Sequence, residues 1–442
     1  MLEVIADTFA NLGLYARAHE LAKQALGERQ RLLGQNHPNT LESMAQLGWI
    51  LAREGNPAEG EKLEREALAF QRRLLGPDNP ITLDTENHLA VTVEDQGRFN
   101  EAEQMEREVI EVATHKLGTE NDQSLQAISN LSGTLWNEGR YAEAEQKYRQ
   151  SIDLNRRILG PDHPETLKAM ANLALVVQSR GRLAEAEQMD RDVLAVGERV
   201  LGPEHRFTTS VMYNLAGLIG SQGRLADSEK VFRQTLTIQL RTQGAEHPRT
   251  LITKSELADV LFEEGRLQEA ADLQRETLAT ETRVLGPEHP STLNLQCSFA
   301  KTLISEGRYR EAENLARKTF ESGLRTLGPE HPSTLNALQQ LGTAMSYNHR
   351  YAEANKLFLE VIEKEKRNPN QGNPWTAWYS FACVAAAANR PGDALKYLQE
   401  AVNRGYSDAD RLMADGDLKK LRENRVFQEI TMRLRQATLT TH

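Results

Sequence analysis

The sequence predicts an all-α solenoid of stacked antiparallel helix pairs, and three observations carry that prediction. A leucine-glycine pair recurs every 42 residues, at Leu33-Gly34, Leu75-Gly76, Leu117-Gly118, Leu159-Gly160, Leu201-Gly202, Leu285-Gly286 and Leu327-Gly328, with Gln243-Gly244 in the same register. A second glycine series runs through Gly13, Gly55, Gly97, Gly139, Gly181, Gly223, Gly265 and Gly307, with His349 in the last slot. A small residue follows each of these, at Ala18, Gly60, Ala102, Ala144, Ala186, Ser228, Ala270, Ala312 and Ala354. A fixed period of this kind stacks one supersecondary unit, and each unit rests mainly on its neighbours.

Each element of the unit has its own signal. Pro164 stands in the first turn of a helix, where its missing N–H costs nothing. Leu167, Met170, Leu173 and Val177 then recur at helical spacing. The helix is predicted to end near Gly181, since glycine reaches the left-handed C-cap conformation without strain. A second helix opens at Leu183 and runs to about Leu201, and Ala186 marks its close approach to the first. Gly202-Pro203-Glu204-His205 then turns the chain into the next unit. In the other units the second helix opens on Tyr15, Phe99, Tyr141, Leu225, Leu267, Tyr309 or Tyr351, with Pro57 once.

Composition agrees with this class and excludes others. Only 39% of the 442 residues are apolar, which suits a solenoid with much surface per residue. The net charge of -10 and the absence of a basic block argue against a nucleic-acid partner. Cys297 and Cys383 are far apart and set among apolar residues, so they read as small buried hydrophobes and not as a disulfide framework. No apolar run reaches the length of a membrane span, and residues 1–7 do not resemble a signal peptide, so no membrane insertion is expected.

The Leu-Gly pair, the aromatic after the hairpin glycine and the small residue on the second helix resemble the tetratricopeptide repeat. The 42-residue period and the joint Leu-Gly-Pro-Glu-His-Pro-x-Thr-Leu narrow the resemblance to the kinesin light chain type, over residues 1–366. That resemblance implies a superhelical solenoid of about nine repeats, the first one truncated. It also implies a non-catalytic protein-protein interaction scaffold that binds a peptide or partner protein in its concave groove. No enzyme activity and no cofactor are expected. In this family the first helices line the groove, and an Asn there often grips a ligand backbone. Asn130, Asn172 and Asn214 occupy one slot in three consecutive repeats, where Gln46, His88, Glu256, Ser298 and Gln340 stand in the others. An amide suits the task because it both donates and accepts. The candidate groove set is Asn130, Asn172, Asn214, Lys168, Gln126, Tyr213, Asn137 and Trp136, with Gly133 and Gly217 leaving room for a ligand and Trp49 as a further aromatic on the same face. The same asparagines could instead bond the adjacent repeat and set its angle.

Past Lys366 the period breaks. Residues 367–405 read as a linker, Asn368 to Pro374, and one 34-residue-type repeat, and 406–442 as a C-terminal helical cap. Asp415-Gly416-Asp417-Leu418-Lys419-Lys420-Leu421-Arg422 and Phe427-Gln428-Glu429-Ile430 resemble the end of repeat arrays attached to bacterial serine/threonine protein kinases, and residues 7–15 resemble their start. This implies an alternative function as the sensory or docking region of a larger bacterial signalling protein. The catalytic domain is outside this sequence, which carries no kinase motif. The start inside a first helix raises the expectation that the chain is a fragment. A cytoplasmic location is expected, or an extracytoplasmic one if the array belongs to a membrane-anchored kinase. The oligomeric state is left open.

Three further series have simpler readings. His37, His163, His205, His247, His289 and His331 recur too far apart to share one ion, so they are read as loop residues that cap the next helix, and no metal is expected. Asp408-Ala409-Asp410 and Asp415-Gly416-Asp417 lack a calcium ligand ladder and are read as solvated turns. Arg65, Arg107, Arg149, Arg191, Arg233, Arg275 and Arg317 are read as a self-neutralised outer face, as in Glu64-Arg65-Glu66.

Overall fold

The computed structural model describes residues 2–11, 14–118, 120–367 and 375–440, so Gly13 and the linker 368–374 lie outside the described residues. Among the described residues there are helices and turns and no strand. The chain divides into two compact units, 1–218 and 219–442. Unit 1 contains α1 (Leu2–Asn11), α2 (Tyr15–Leu33), α3 (Pro38–Glu54), α4 (Pro57–Leu74), α5 (Pro80–Glu94), α6 (Phe99–Leu117), α7 (Asp122–Asn137), α8 (Tyr141–Ile158), α9 (Pro164–Ser179) and α10 (Leu183–Val200). The boundary falls within α11 (Arg206–Ser221). Unit 2 continues with α12 (Leu225–Thr242), α13 (Pro248–Glu263), α14 (Leu267–Val284), α15 (Pro290–Ser305), α16 (Tyr309–Thr326), α17 (Pro332–Tyr347) and α18 (Tyr351–Arg367). It closes with α19 (Thr376–Ala387), α20 (Pro391–Asn403), α21 (Ala409–Ala414), a 3-10 turn at Lys419–Leu421 and α22 (Arg425–Thr440).

The joints explain the register. His163 sits in extended backbone at the N-cap of α9, and its ring nitrogen accepts the Glu165 N–H at 3.3 Å. That satisfies one of the orphan donors of the first turn. His37, His205, His247, His289 and His331 do the same for the amides of Asn39, Phe207, Arg249, Ser291 and Ser333. Where histidine is missing, Asn79 and Asn121 supply the acceptor. The capping role read for this series is therefore what the structure contains. At the other end of α9, Gly181 takes φ 78°, and Arg182 N–H returns to the Val177 carbonyl. His349, the substitute in this series, adopts the same left-handed region at φ 64°.

The small residue of the second helix is buried wherever the structure describes it. Gly60 is the extreme case, since a Cβ placed on Gly48 would lie 2.8 Å from the Gly60 carbonyl oxygen. No larger pair could bring α3 and α4 so close.

On the second helices, each arginine of the periodic series pairs with an acid one turn back. Arg107 bonds Glu103 at 2.6 Å and Arg233 bonds Glu229 at 2.7 Å. Glu61, Glu103, Glu145, Glu229 and Glu313 also reach a second arginine, the residue after the next hairpin glycine or, for Arg350, after His349. Arg140 meets Glu103 at 2.7 Å and Arg266 meets Glu229 at 2.8 Å, and Arg98–Glu61, Arg182–Glu145 and Arg350–Glu313 repeat the contact.

Glu64 corrects part of the outer-face reading. It is fully buried, whereas the partner of Arg65 is Glu61. Residues four apart share a helix face and adjacent ones do not, so Glu64 points at the core.

Candidate peptide-binding groove

The slot of Gln46, His88, Asn130, Asn172, Asn214, Glu256, Ser298 and Gln340 falls on the first helices α3, α5, α7, α9, α11, α13, α15 and α17. In unit 1, Gln46 and His88 line a cavity of about 520 Å³ together with Glu3, Asp7, Glu42, Trp49 and Asp84. Residues of α1, α3, α5 and α7 build it. In unit 2, Ser298 and Gln340 line a cavity of about 510 Å³ that also touches Lys301, Tyr347, Tyr379 and Asp417. Each unit thus opens a ligand-sized space on the side built from its first helices.

The candidate residues fall into distinct environments on that side. Gln126 is exposed and lines the unit 1 cavity, as does Trp49, whose ring lies 5.8 Å from that of His88. Asn130, Asn172 and Asn214 are all half-buried. The Asn130 Nδ2 is buried and finds no hydrogen-bond partner among the described residues. Asn172 acts as a hydrogen-bond partner of the buried Tyr148 phenol on α8, a structural contact. Lys168 is exposed and stands 3.6 Å from Glu165. Asn137 donates to Glu94 at 2.8 Å. The Trp136 indole N–H donates to Ser179 at 2.9 Å, while its ring packs on the core beneath α7 and α9. Tyr213 is half-buried on α11. A side chain at Gly217 would meet nothing within 4 Å, and one at Gly133 would only touch the Tyr148 hydroxyl at 3.8 Å.

Electrostatics set the two cavities apart. Glu42 and Asp84 in unit 1 are both held above the usual carboxylate range, first by burial and then by neighbouring acids. His88 is pushed down to about 4 by burial and by Arg53, so it is neutral at pH 7. In unit 2, Asp415 and Asp417 are not solvated turns. Tyr379 donates to Asp415 at 2.7 Å and Tyr347 donates to Asp417, which docks the C-terminal segment onto α17 and α19. The reading as solvated turns fails because the partners sit far away in sequence, on helices that the short motif cannot reveal. Cys383, Asp415 and Asp417 offer ligand atoms within 4.8 Å of one another, but the phenols already occupy both carboxylates.

Two features escaped the sequence reading. One is the 42-residue arginine series Arg98, Arg140, Arg182, Arg224, Arg266, Arg308 and Arg350, which follows the hairpin position from Gly97 onward. Of the acids of the unit 1 cavity, Glu42 and Asp84 share one register of the period, while Glu3 and Asp7 join them from α1, so the four converge from three helices.

Among the described residues, no helix is long and apolar enough to cross a membrane. A tetratricopeptide repeat family model matches residues 1–71, 50–115, 123–199, 172–240, 207–280 and 251–324. A search of curated proteins found no match. Among solved structures, the chain is similar to a putative kinesin light chain with nearly identical TPR-like repeats from Podosopora anserina. Identity is 29%, with 47% of this chain and 99% of that chain covered and a TM-score of 0.42. BtubC (BKLC) from P. vanneervenii matches at 20% identity over 53% of this chain and 94% of that chain, with a TM-score of 0.43. The apo quorum sensor NprR from B. thuringiensis matches at 13% identity over 83% of this chain and 99% of that chain, with a TM-score of 0.55, a likeness of fold alone. Proteins of this kind are typically protein-protein interaction scaffolds and generally non-catalytic. With the family model matching well over half of its length, the chain belongs to the tetratricopeptide repeat family.

Proposed function

We propose that this chain is a non-catalytic scaffold that binds an extended peptide segment of a partner protein along the side built from its first helices. The observation that carries the reading is the repeated slot, of which Gln46 and His88 line a ligand-sized cavity in unit 1 and Ser298 and Gln340 one in unit 2. Asn130, Asn172 and Asn214 are the proposed backbone-gripping residues. The buried, unpartnered Nδ2 of Asn130 supports this, because such a donor is costly to leave unpaired. Gln126, Lys168, Tyr213, Asn137 and Trp136 flank them on α7, α9 and α11. Trp136 and Asn137 are already bonded to Ser179 and Glu94, so they serve as walls. The acidic balance of the chain favours protein over nucleic acid as the partner.

A screen of decapeptides against the full chain tests the reading. Asn130→Ala should weaken a selected peptide by about tenfold, the value of one or two hydrogen bonds. Asn172→Ala should weaken it too, and should also lower stability through Tyr148. Undiminished affinity in both variants removes the asparagine assignment, and a blank screen removes the function.

A further inference from the structure

We propose that the unit 1 cavity is a subsite for an arginine or lysine side chain of the bound peptide, an inference that rests on the peptide-binding reading above.

The cavity lining carries four carboxylates, Glu3, Asp7, Glu42 and Asp84, and no lysine or arginine. One nearby cation answers them. Arg29 pairs with Glu3 and stands 3.8 Å from Glu42. Asp7 and Asp84 accept only from the neutral amides of Gln46 and Gln123, and neither pairs with a cation among the described residues. The periodic glutamates of the second helices are treated differently. Glu61, Glu103, Glu145, Glu229 and Glu313 on the second helices are each held by two or more arginines. The cavity is thus a place where clustered negative charge is left short of cations, and a positive group entering it supplies what the paired arginines supply to those glutamates.

The walls suit the same occupant. Trp49 presents an aromatic ring beside the acids, and such a ring favours a cation over its face and covers the aliphatic stem of a long side chain. His88 tilts against Trp49 and is kept neutral by burial, so it adds a ring without adding charge. The volume of about 520 Å³ takes one long side chain with the backbone on either side of it. His88 and Gln46 share the slot of the asparagines, so a peptide gripped at Asn130 on α7 can continue past α5 and α3 to this cavity.

The test uses the full chain and a fluorescent decapeptide selected from a random library. Its basic residues are replaced singly by citrulline, which keeps the shape of arginine and removes the charge. The selected peptides should carry arginine or lysine at one position, and citrulline there should weaken binding about tenfold at low salt. The double variant Glu42→Gln with Asp84→Asn should weaken the parent peptide by a similar factor and leave the citrulline peptide unchanged. Asp7→Asn, at an exposed side chain, is a second variant, and thermal unfolding of each checks that it folds. Peptides that bind without a basic preference overturn the subsite and leave the scaffold function standing. So does a citrulline loss that stays the same in the variants. Absence of any peptide binding overturns both.

Discussion

Units 1 and 2 are built on one period, yet they fill the same core position with opposite chemistry. On the second helices of unit 1 that position holds Ala22, Glu64, Glu106, Tyr148 and Asp190. In unit 2 it holds Phe232, Gln274, Ala316 and Phe358. Glu64, Glu106 and Asp190 are fully buried and no cation pairs with them among the described residues, so burial pushes their carboxyls up to about 8, 9 and 7. Phe358 is just as deeply buried, but it packs edge-on to Phe381 at 5.5 Å, which in turn meets Tyr397 at 4.3 Å. The repeat therefore dictates a position and its burial while leaving its polarity free. The same backbone thus buries carboxyls at this position in unit 1 and aromatic rings in unit 2.

The comparison can be broken most directly in the core. Phe358→Ala should destabilise unit 2 by about 3–5 kcal/mol, the cost of emptying a packed aromatic site. Glu106→Met in unit 1 should be neutral or stabilising, since it removes a buried ionisable group at similar volume. Chemical denaturation of both variants measures this, and equal losses would end the contrast. The next effect is on pH. Each buried carboxyl binds its proton more tightly when folded than when unfolded, so the stability it lends is complete below its unfolded pKa and lost as pH rises to the folded one. For Glu106 that window runs from 4.5 to about 9, for Glu64 from 4.5 to about 8, and for Asp190 from 3.8 to about 7. Within it, each group should lower the stability of unit 1 by about 1.4 kcal/mol per pH unit. Amide exchange followed by region should show the decline in α4, α6 and α10 and a flatter profile in α16 and α18.

Smaller changes sharpen the picture. Gly60→Ala should cost about 1–3 kcal/mol by forcing α3 and α4 apart, although alanine fills the equivalent Ala354 of unit 2 without strain. Thermal unfolding of the variant checks it. His349→Gly should stabilise unit 2 by about 0.5–1 kcal/mol, because glycine takes the left-handed conformation that histidine is held in at φ 64°. A loss instead would show that the bond from His349 to the Tyr351 hydroxyl, at 3.0 Å, outweighs the backbone gain.

Much of this was legible from spacing. The joints, the hairpin glycines and the small residues follow from rules that act within a few residues, and the structure places them in register. The histidines were readable as caps because an N-cap acceptor is a local need, directly ahead of a proline at N1. What stayed hidden depends on contacts between distant residues. Glu64 and Arg65 are neighbours in sequence, and only helix geometry separates the buried one from the exposed one. Asp415 and Asp417 resembled an open turn until Tyr347, 70 residues before Asp417, appeared beside them. Glu42 and Asp84 share one register of the repeat, but Glu3 and Asp7 have no acidic counterpart 42 residues on, so a periodic search gathers only part of the set. The asparagine slot was legible as a series, but not that Asn172 leans on Tyr148 while Asn130 keeps a buried amide unpartnered.

The glutamate that joins two arginines has a consequence for how such a chain can change length. Glu103 holds Arg107 of its own helix and Arg140 of the following repeat, and Glu229 does the same for Arg233 and Arg266. Copying or excising a block of 42 residues returns every such glutamate to an equivalent pair of arginines. An insertion of another size between such a glutamate and the next hairpin shifts the second arginine out of its place while the first stays paired. The ion pairs thus act as a ruler on the gene, permitting growth and shrinkage in whole repeats and penalising every step between.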